Sequence, residues 1–105
     1  MIAIPENVER PPESITLWVI YDRPRDYPQG YVLRPQFSAK RFAGMERFGK
    51  IVEDHGAAVV IVSPSAWRGG TADELRAILP GGAFRIPTSP GDDAAICEIW
   101  MDMRT

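Results

Sequence analysis

Two runs of β-branched and aromatic residues, joined by a short loop that contains two prolines, constrain the fold of this chain more than any other feature. Residues 31–37 alternate with the period of two that is typical of β-strands, whereas residues 15–21 are β-branched and aromatic and predict a strand that is at least partly buried on both faces. Strands this close in sequence favour pairing as a hairpin, here across residues 22–30. Because proline cannot donate to a ladder of hydrogen bonds, Pro35 places the second strand at a sheet edge or marks its end.

A helical period follows the predicted hairpin. Between Phe42 and Val52, apolar side chains recur at spacings of three or four, and basic side chains lie largely outside that stripe. Ser38 is a candidate N-cap, and Gly56 is a candidate C-terminal stop. The pattern predicts a basic amphipathic helix over residues 38–55.

A second, shorter helix is predicted after residue 70. Thr71 and Glu74 have the spacing of a capping box, in which the hydroxyl accepts from the Glu74 amide while the carboxylate reaches back. Leu75 begins an apolar face, and the Pro-Gly-Gly sequence at residues 80–82 ends the helix.

Three further strands complete the predicted fold. Residues 57–63 form a continuous apolar run, typical of an interior strand covered on both faces. Residues 84–86 and 94–101 flank a turn rich in proline, glycine and aspartate, and predict a second hairpin. The predicted fold is α+β: a mainly antiparallel sheet of about five strands, in the element order ββαβαββ, with two helices packed on one face.

The length of 105 residues is typical of one domain. Residues 1–14 contain three prolines and few apolar side chains after Ile4, so we expect a flexible N-terminal arm followed by a single α+β domain over residues 15–105. The one cysteine, Cys97, cannot form an internal disulfide, and no apolar run is long enough to cross a bilayer. The N-terminal residues lack the pattern of a secretory signal. We therefore expect a cytoplasmic protein without membrane association.

Charge is distributed unevenly along the chain. Residues 23–50 carry seven basic and two acidic side chains, whereas the remainder carries five basic and twelve acidic ones. Such segregation attracts an acidic partner or a nucleic acid. The isoelectric point of 5.3 counts against nucleic acid. The alternative is that the two parts mix in space and neutralise each other.

The loop between the first two strands has the side chains best suited to recognition. Pro24 and Pro28 restrict the backbone, which lowers the entropy that binding would cost. Arginine and tyrosine are enriched at interface hot spots, and Asp22 and Asp26 could hold the arginines in place. The alternative is a structural turn, with aspartate caps, packed tyrosines and solvated arginines. The candidate binding residues, from this loop, the next strand, the basic helix and the second loop, are Asp22, Arg23, Arg25, Asp26, Tyr27, Arg34, Lys40, Arg41, Arg47, Trp67 and Arg68.

The loop before the second helix is a weaker candidate site. Gly69 and Gly70, next to Arg68, could offer backbone amides to an anion, but they lack the spacing of a phosphate-binding loop and favour a simple connector. Trp67 in the same loop is either a small binding platform or a lid over the core.

Other reactive residues give no catalytic or metal-binding motif. His55 could act as a base or ligand, but its predicted place at a helix end favours a capping role. Cys97 on a predicted core strand is typical of a small buried hydrophobe. Asp92 and Asp93 could bind a cation, although a turn is favoured because calcium needs more oxygen ligands. We expect no metal and no cofactor.

Two motifs resemble a known group of proteins. Residues 21–34 read YDxPxDYPxxYVxR and residues 85–93 read RIPxxPxDD, with further matches at residues 75–80 and at Glu98 and Trp100. This pattern is similar to small bacterial and phage hypothetical proteins, a family with no assigned activity. The two matches cover about half of the chain and leave residues 38–70 without a counterpart. The resemblance implies one compact domain and implies nothing about mechanism.

Three functions follow from these features. The leading hypothesis is a non-enzymatic protein-binding or accessory module of a bacterial or phage cytoplasm, which presents the 22–30 loop and the basic helix to an acidic or mixed-charge protein. The second is a nucleic-acid-binding protein, with the basic 23–50 segment on phosphates and a tyrosine stacked on bases. The third is a small hydrolase or nuclease that uses Asp22, Asp26 and His55.

Overall fold

A computed structural model describes residues 8–89, 91 and 94–103. Within these residues the chain forms a seven-stranded sheet in which every pairing is antiparallel, with one short α-helix and one 3₁₀ turn. The strands are β1 (Ile15–Asp22), β2 (Tyr31–Lys40), β3 (Lys50–Asp54), β4 (Ala58–Val62), β5 (Trp67–Gly69), β6 (Phe84–Ile86) and β7 (Ile96–Asp102). The helix α1 spans Ala72–Arg76, and the 3₁₀ turn spans Met45–Phe48. Neither of these is long or apolar enough to cross a membrane.

The strand order is β3-β4-β2-β1-β7-β6, and β5 pairs with β2 beside β4. The predicted hairpin of β1 and β2 is confirmed, with Asp22 opposite Tyr31 next to the loop. Pro35, however, lies inside an interior strand. It falls between the part of β2 that pairs with β5 and the part that pairs with β4. On the side of β2 that faces β4 and β5, the Pro35 carbonyl accepts from the Ser63 N–H at 3.1 Å. Pro35 pairs with neither strand, so the N–H that proline lacks is not needed for a ladder hydrogen bond at this position.

The predicted basic helix over residues 38–55 is wrong. Strand β2 continues through Lys40, and β3 begins at Lys50. Between them, Gly44 and Gly49 adopt positive φ angles of 79° and 150°, which L-residues in an α-helix do not adopt. The helical spacing is therefore realised for one turn only.

The predicted fold class is wrong as a consequence. The sequence predicted five strands and two helices in the order ββαβαββ, but the structure has seven strands and one short helix. Strand β3 lies within the predicted basic helix, and β5 lies in the loop predicted before the second helix. The strand expected to be covered on both faces, β4, alternates between buried Val59 and Ile61 and half-buried Val60 and Val62.

The Thr71 cap of α1 is confirmed, and the Glu74 carboxylate reaches back to Gly70, one residue before the N-cap. The Thr71 hydroxyl accepts from the Glu74 N–H at 3.3 Å, and the Glu74 carboxylate accepts from the Gly70 N–H at 2.8 Å. The helix has five residues, and its buried Leu75 packs in the core. The predicted second hairpin is also found, as β6 paired with β7.

The core lies on one face of the sheet, which we name the covered face. Its first cluster contains Trp18, Ile20, Leu33, Trp67 and Leu75. Its second cluster contains Phe37, Met45, Phe48, Val59 and Ile61. Both α1 and the 3₁₀ turn contribute to these clusters, so both pack on the same face.

The chain before β1 also packs on the covered face. Of the predicted flexible arm, residues 1–7 lie outside the described residues. Val8 packs against both core clusters, and Arg10 donates to the buried Asp102 carboxylate at 3.2 Å.

Candidate functional site

The opposite face of the sheet, which we name the open face, carries the side chains that alternate with the core. Residues paired directly across antiparallel strands share a face. One row crosses six strands and consists of Lys50, Val62, Gln36, Leu17, Met101 and Phe84. The rows beside it contain Glu53, Val60, Ser38 and Ile15 on one side, and Arg34, Val19, Ile99 and Ile86 on the other.

Apolar side chains dominate much of the open face. Val19 at its centre is buried, but Leu17, Val62 and Met101 are only half-buried, and Phe84 is 46% exposed. Among the described residues, α1 and the 3₁₀ turn both pack on the other side of the sheet. Contiguous apolar surface of this kind is typical of interaction sites.

At the end of the open face nearest the β1–β2 loop lies a groove of about 550 Å³, which we name the loop groove. Its walls come from three parts of the chain: the end of β1 with the following loop, the middle of β2, and the segment before β7. The lining residues are Tyr21, Pro24, Arg25, Asp26, Arg34, Ala94 and Ala95.

Arg34 is held in position within the loop groove. Its Nη2 donates to the Asp26 carboxylate, and its guanidinium carbon lies 5.8 Å from the centre of the Tyr21 ring. Its Nε is buried and has no hydrogen-bond partner. Arg34 is therefore a fixed cation of the groove, and its Nε is a buried donor that the described residues leave unsatisfied.

The loop itself is fixed by hydrogen bonds. The Arg23 N–H donates to the Gly30 carbonyl at 2.8 Å, and the Tyr27 N–H donates to the Pro24 carbonyl at 2.9 Å. A Cβ atom at Gly30 would sit 2.6 Å from the Gly69 carbonyl oxygen, so glycine permits the close approach of β5. The loop groove is thus bounded by a defined backbone.

Both aspartates of the loop pair with arginines. Asp22 accepts from the Arg23 Nε at 2.8 Å, while Asp26 holds Arg34. Tyr27 takes part differently, since the Arg68 guanidinium carbon lies 5.5 Å from the centre of its ring. Arg25 lines the groove without an ion pair. Together with Arg25, six other candidate residues lie at this end of the sheet: Asp22, Arg23, Asp26, Tyr27, Arg34 and Arg68.

The remaining candidate residues lie elsewhere. Lys40 ends β2 far from the loop, and Arg41 beside it pairs with Asp54. Arg47 lies on the 3₁₀ turn, 3.3 Å from a Glu9 carboxylate oxygen. Trp67 is 5% exposed and packs edge-to-face on Trp18 with ring centres 5.9 Å apart, so its ring is part of the core.

Unpaired cations concentrate on one side of the sheet. Among the described residues, the cations without an ion pair are Arg25, Lys40, Lys50, Arg68 and Arg85. Lys40, Lys50 and Arg68 lie on the open face, and Arg25 lines the loop groove. Arg85 lies opposite Trp100 on the covered face. Glu53 is the acidic residue in the rows of the open face, and it pairs with His55 at 3.0 Å.

The residues of the hydrolase hypothesis are separated. Asp22 lies opposite Tyr31 at the start of β2. The backbone N–H of His55 donates to the Ala58 carbonyl, and Ala58 lies opposite Lys40 at the other end of β2. A strand advances about 3.3 Å per residue, so the length of β2 puts about 30 Å between these two points. His55 and Asp22 are not brought together.

Cys97 is a poor nucleophile in this setting. Burial raises the pKa of its thiol, and the charges of Glu98 and Asp22 raise it further. Thiolate is therefore scarce at neutral pH. Within the described part of the chain, no three histidine, cysteine or carboxylate groups cluster as metal ligands, and Asp92 and Asp93 lie outside it.

Sequence reasoning missed part of this surface. Ala94 and Ala95 enter the groove through the pairing of β7 with β1, where the Asp22 N–H donates to the Ala95 carbonyl at 2.7 Å, and no local pattern signals that contact. Lys50 and Val62 belong to the open face because β3 pairs with β4. The alternation of Leu17 with Trp18 was a usable signal, since it divides β1 between two faces.

Comparisons with protein-family models, with curated proteins and with solved structures found no match. The resemblance to small bacterial and phage proteins stays a prediction.

Proposed function

We propose that this protein is a non-enzymatic binding module, and that its open face binds a protein partner with apolar side chains next to acidic ones. The observation that carries the proposal is the open face itself. Half-buried apolar residues lie on several of its strands, and the unpaired Lys40, Lys50 and Arg68 lie on the same face. In the cytoplasm, where we place the module, free Cys97 stays reduced.

The apolar residues supply the driving force for docking. Leu17, Val62 and Met101 belong to one row and retain contact with water; Leu17 and Met101 are direct neighbours, and Gln36 lies between Leu17 and Val62. Removing such surface from water contributes about 25 cal/mol per Å² of apolar area. A partner that covers this row would gain most of its affinity there.

The sheet edges favour a partner that approaches the face. Edge strand β3 has a bulge between Ile51 and Glu53 and charged residues on both sides of it. Edge strand β6 has three residues and is followed by Pro87. Bulges, charges and short strands block the addition of another strand.

The unpaired cations select for acidity in the partner. Lys40, Lys50 and Arg68 are on the open face, whereas its acidic Glu53 is already paired. Complementary charge speeds association and selects partners more than it adds affinity. Arg23, Arg34, Arg41 and Arg47 are all in ion pairs, which leaves few of the basic residues of the 23–50 segment for a phosphate backbone.

A peptide selection tests the proposal. A random peptide library is panned against the whole protein, and the selected peptides are synthesised and titrated by fluorescence anisotropy. We expect apolar peptides with acidic residues, and we expect Val62→Glu or Lys50→Glu to weaken binding by about tenfold or more. Arg85→Glu is the matched control, because it reverses an exposed, unpaired cation on the covered face.

Three outcomes would overturn the proposal. One is a set of selected peptides that bind wild-type protein and both open-face variants equally. Another is a dimer, measured by light scattering, that Val62→Glu dissociates, since the open face would then belong to a second copy. The third is tight binding of a single-stranded oligonucleotide that depends on Lys40 and Lys50 and weakens steeply with salt.

A further inference from the structure

We propose that the loop groove is a carboxylate-binding site, which holds an acidic side chain or a free carboxyl terminus of the partner. The inference rests on the proposed function for the source of the carboxylate. The site itself follows from two arginines, one aspartate and the apolar walls between them.

Arg34 supplies a preorganised donor. Asp26 and the Tyr21 ring hold its guanidinium in place, and its Nε has no hydrogen-bond partner. A buried donor without a partner is unfavourable. After a small movement of the Arg34 side chain, a ligand oxygen could accept a hydrogen bond from its Nε and satisfy this donor. Because the guanidinium is planar, it can form two parallel hydrogen bonds to a carboxylate, which a spherical ion cannot accept in the same way.

Arg25 supplies the second charge. It lines the groove from a loop that is fixed by the hydrogen bonds of Arg23 to Gly30 and of Tyr27 to Pro24. Arg25 is exposed and forms no ion pair among the described residues. Its guanidinium is therefore available to a ligand that enters from solvent.

The charge of the groove selects a monoanion. Arg25 and Arg34 against Asp26 leave one net positive charge, which a single carboxylate neutralises. A phosphate dianion would leave an excess of negative charge beside Asp26, and like charges at close range are unfavourable. The groove thus favours a carboxylate over a phosphate.

The shape of the groove fits a side chain. Its volume of about 550 Å³ is within the range of about 300–1,000 Å³ that is typical of ligand pockets. Pro24, Ala94 and Ala95 offer apolar walls to the methylene groups of a glutamate or aspartate. The groove lies at the end of the open face, so a peptide that crosses the apolar row could place an acidic residue in it.

Nuclear magnetic resonance titration of the whole protein tests the inference. The probes are N-acetylglutamate α-amide for an acidic side chain, N-acetylglycine for a free carboxyl terminus, inorganic phosphate, and N-acetylglutamine amide as the neutral control. We expect saturable shifts of the Arg34 Nε–H and of the Ala94 and Ala95 amides with a carboxylate, with Kd of roughly 1–10 mM. Which of the two carboxylates binds more tightly identifies the source.

Variants assign the two arginines. Arg25→Gln is expected to weaken carboxylate binding several-fold, and Arg34→Lys to abolish it, since lysine keeps the charge but loses the planar donors. Asp26→Asn removes the opposing carboxylate and is expected to allow phosphate to bind. Arg85→Gln is the control and should change nothing. If Arg34→Lys does not fold, the effects of Arg25→Gln on carboxylate binding and of Asp26→Asn on phosphate binding test the proposed site.

Two results would refute the carboxylate site. The first is the absence of saturable shifts in the groove with either carboxylate, and the second is phosphate binding to the wild-type protein as tightly as a carboxylate does. These failures are distinguishable from failure of the docking proposal. Peptides whose binding still depends on Val62 would leave the open face as a docking surface while the carboxylate site is rejected.

Discussion

Gly49 lies against the backbone of Val62. A Cβ atom at Gly49 would sit 2.1 Å from the Val62 carbonyl oxygen, far inside the distance at which such atoms make contact. Gly49 connects the 3₁₀ turn to β3, and this close approach lets β3 begin its pairing with β4 immediately after the turn. The residue thus determines how the chain changes from a turn to a strand.

Replacing Gly49 by alanine should destabilise the protein severely, because the added atom must displace backbone. We expect a loss of about 2–4 kcal/mol in the free energy of unfolding, measured by urea denaturation. Gly44→Ala is the control, since Gly44 also has a positive φ but its Cβ would meet no atom within 4 Å. Its expected cost is about 1–2 kcal/mol from backbone strain alone. Equal losses would contradict the steric explanation.

The cap of α1 provides a second test. Thr71→Ala removes the hydroxyl that accepts from the Glu74 N–H, and we expect a loss of about 1 kcal/mol in the free energy of unfolding. The exposed Thr88, which lies outside any helix or strand, is the matched site for Thr88→Ala. A loss at Thr71 no larger than at Thr88 would show that the cap adds nothing to stability.

The pair of Arg41 and Asp54 should respond to pH. The Arg41 side chain, followed by the Gly56 N–H, lowers the pKa of the Asp54 carboxyl. Because the folded-state pKa is lowered, the stabilisation is present above the pKa of the unfolded state and is lost as pH falls through the folded-state pKa. We expect Arg41→Gln to raise the pKa of Asp54, measured by nuclear magnetic resonance titration.

Arg47→Gln serves as the control for that titration, since Arg47 pairs with Glu9. It should leave the pKa of Asp54 unchanged. The stability difference between wild type and Arg41→Gln should also vanish in acid, once Asp54 is protonated in both proteins. A difference that persists there would assign the role of Arg41 to its bond to the Gly56 carbonyl.

Glu98 predicts a rescue experiment. Its buried carboxylate accepts from the Arg76 Nε at 2.9 Å and from the Trp100 Nε1 at 3.0 Å. Arg76→Ala leaves this buried charge without its cation, so it should lower the urea midpoint more than Arg85→Ala does. Adding Glu98→Gln to Arg76→Ala should recover part of the loss, because the amide is neutral and its oxygen can still accept from Trp100. A double variant less stable than Arg76→Ala would refute this reasoning.

Much of the sheet could be predicted from local patterns. The β1–β2 hairpin follows from two β-branched and aromatic runs around a short loop, and α1 follows from the spacing of Thr71 and Glu74. In these places the local preference and the tertiary contacts agree. The predicted pairing of loop aspartates with loop arginines is found for Asp22 with Arg23, whereas Asp26 pairs with Arg34 of β2.

The segment after β2 could not be predicted, because the helical spacing of its apolar residues conflicts with its glycines, Gly44 and Gly49. Met45 and Phe48 have helical spacing and are both buried, but Phe42 and Val52 of the same stripe are 36% and 48% exposed. The glycines on either side of the 3₁₀ turn end the helical geometry, and pairing with β4 then selects the extended state. Because Ala94 and Ala95 reach the groove through long-range pairing, only its loop residues Arg25 and Asp26 and the strand residue Arg34 were predicted.

Pro35 has a consequence for how the molecule opens. The two core clusters divide at this residue, with Leu33 in the first and Phe37 in the second. Along the edge of β2 the ladder is interrupted there, while β1 pairs along both halves and Val8 contacts both clusters. Amide hydrogen exchange should therefore resolve two cooperative units, with β3 and β4 opening while the half of the sheet around Trp18 stays closed.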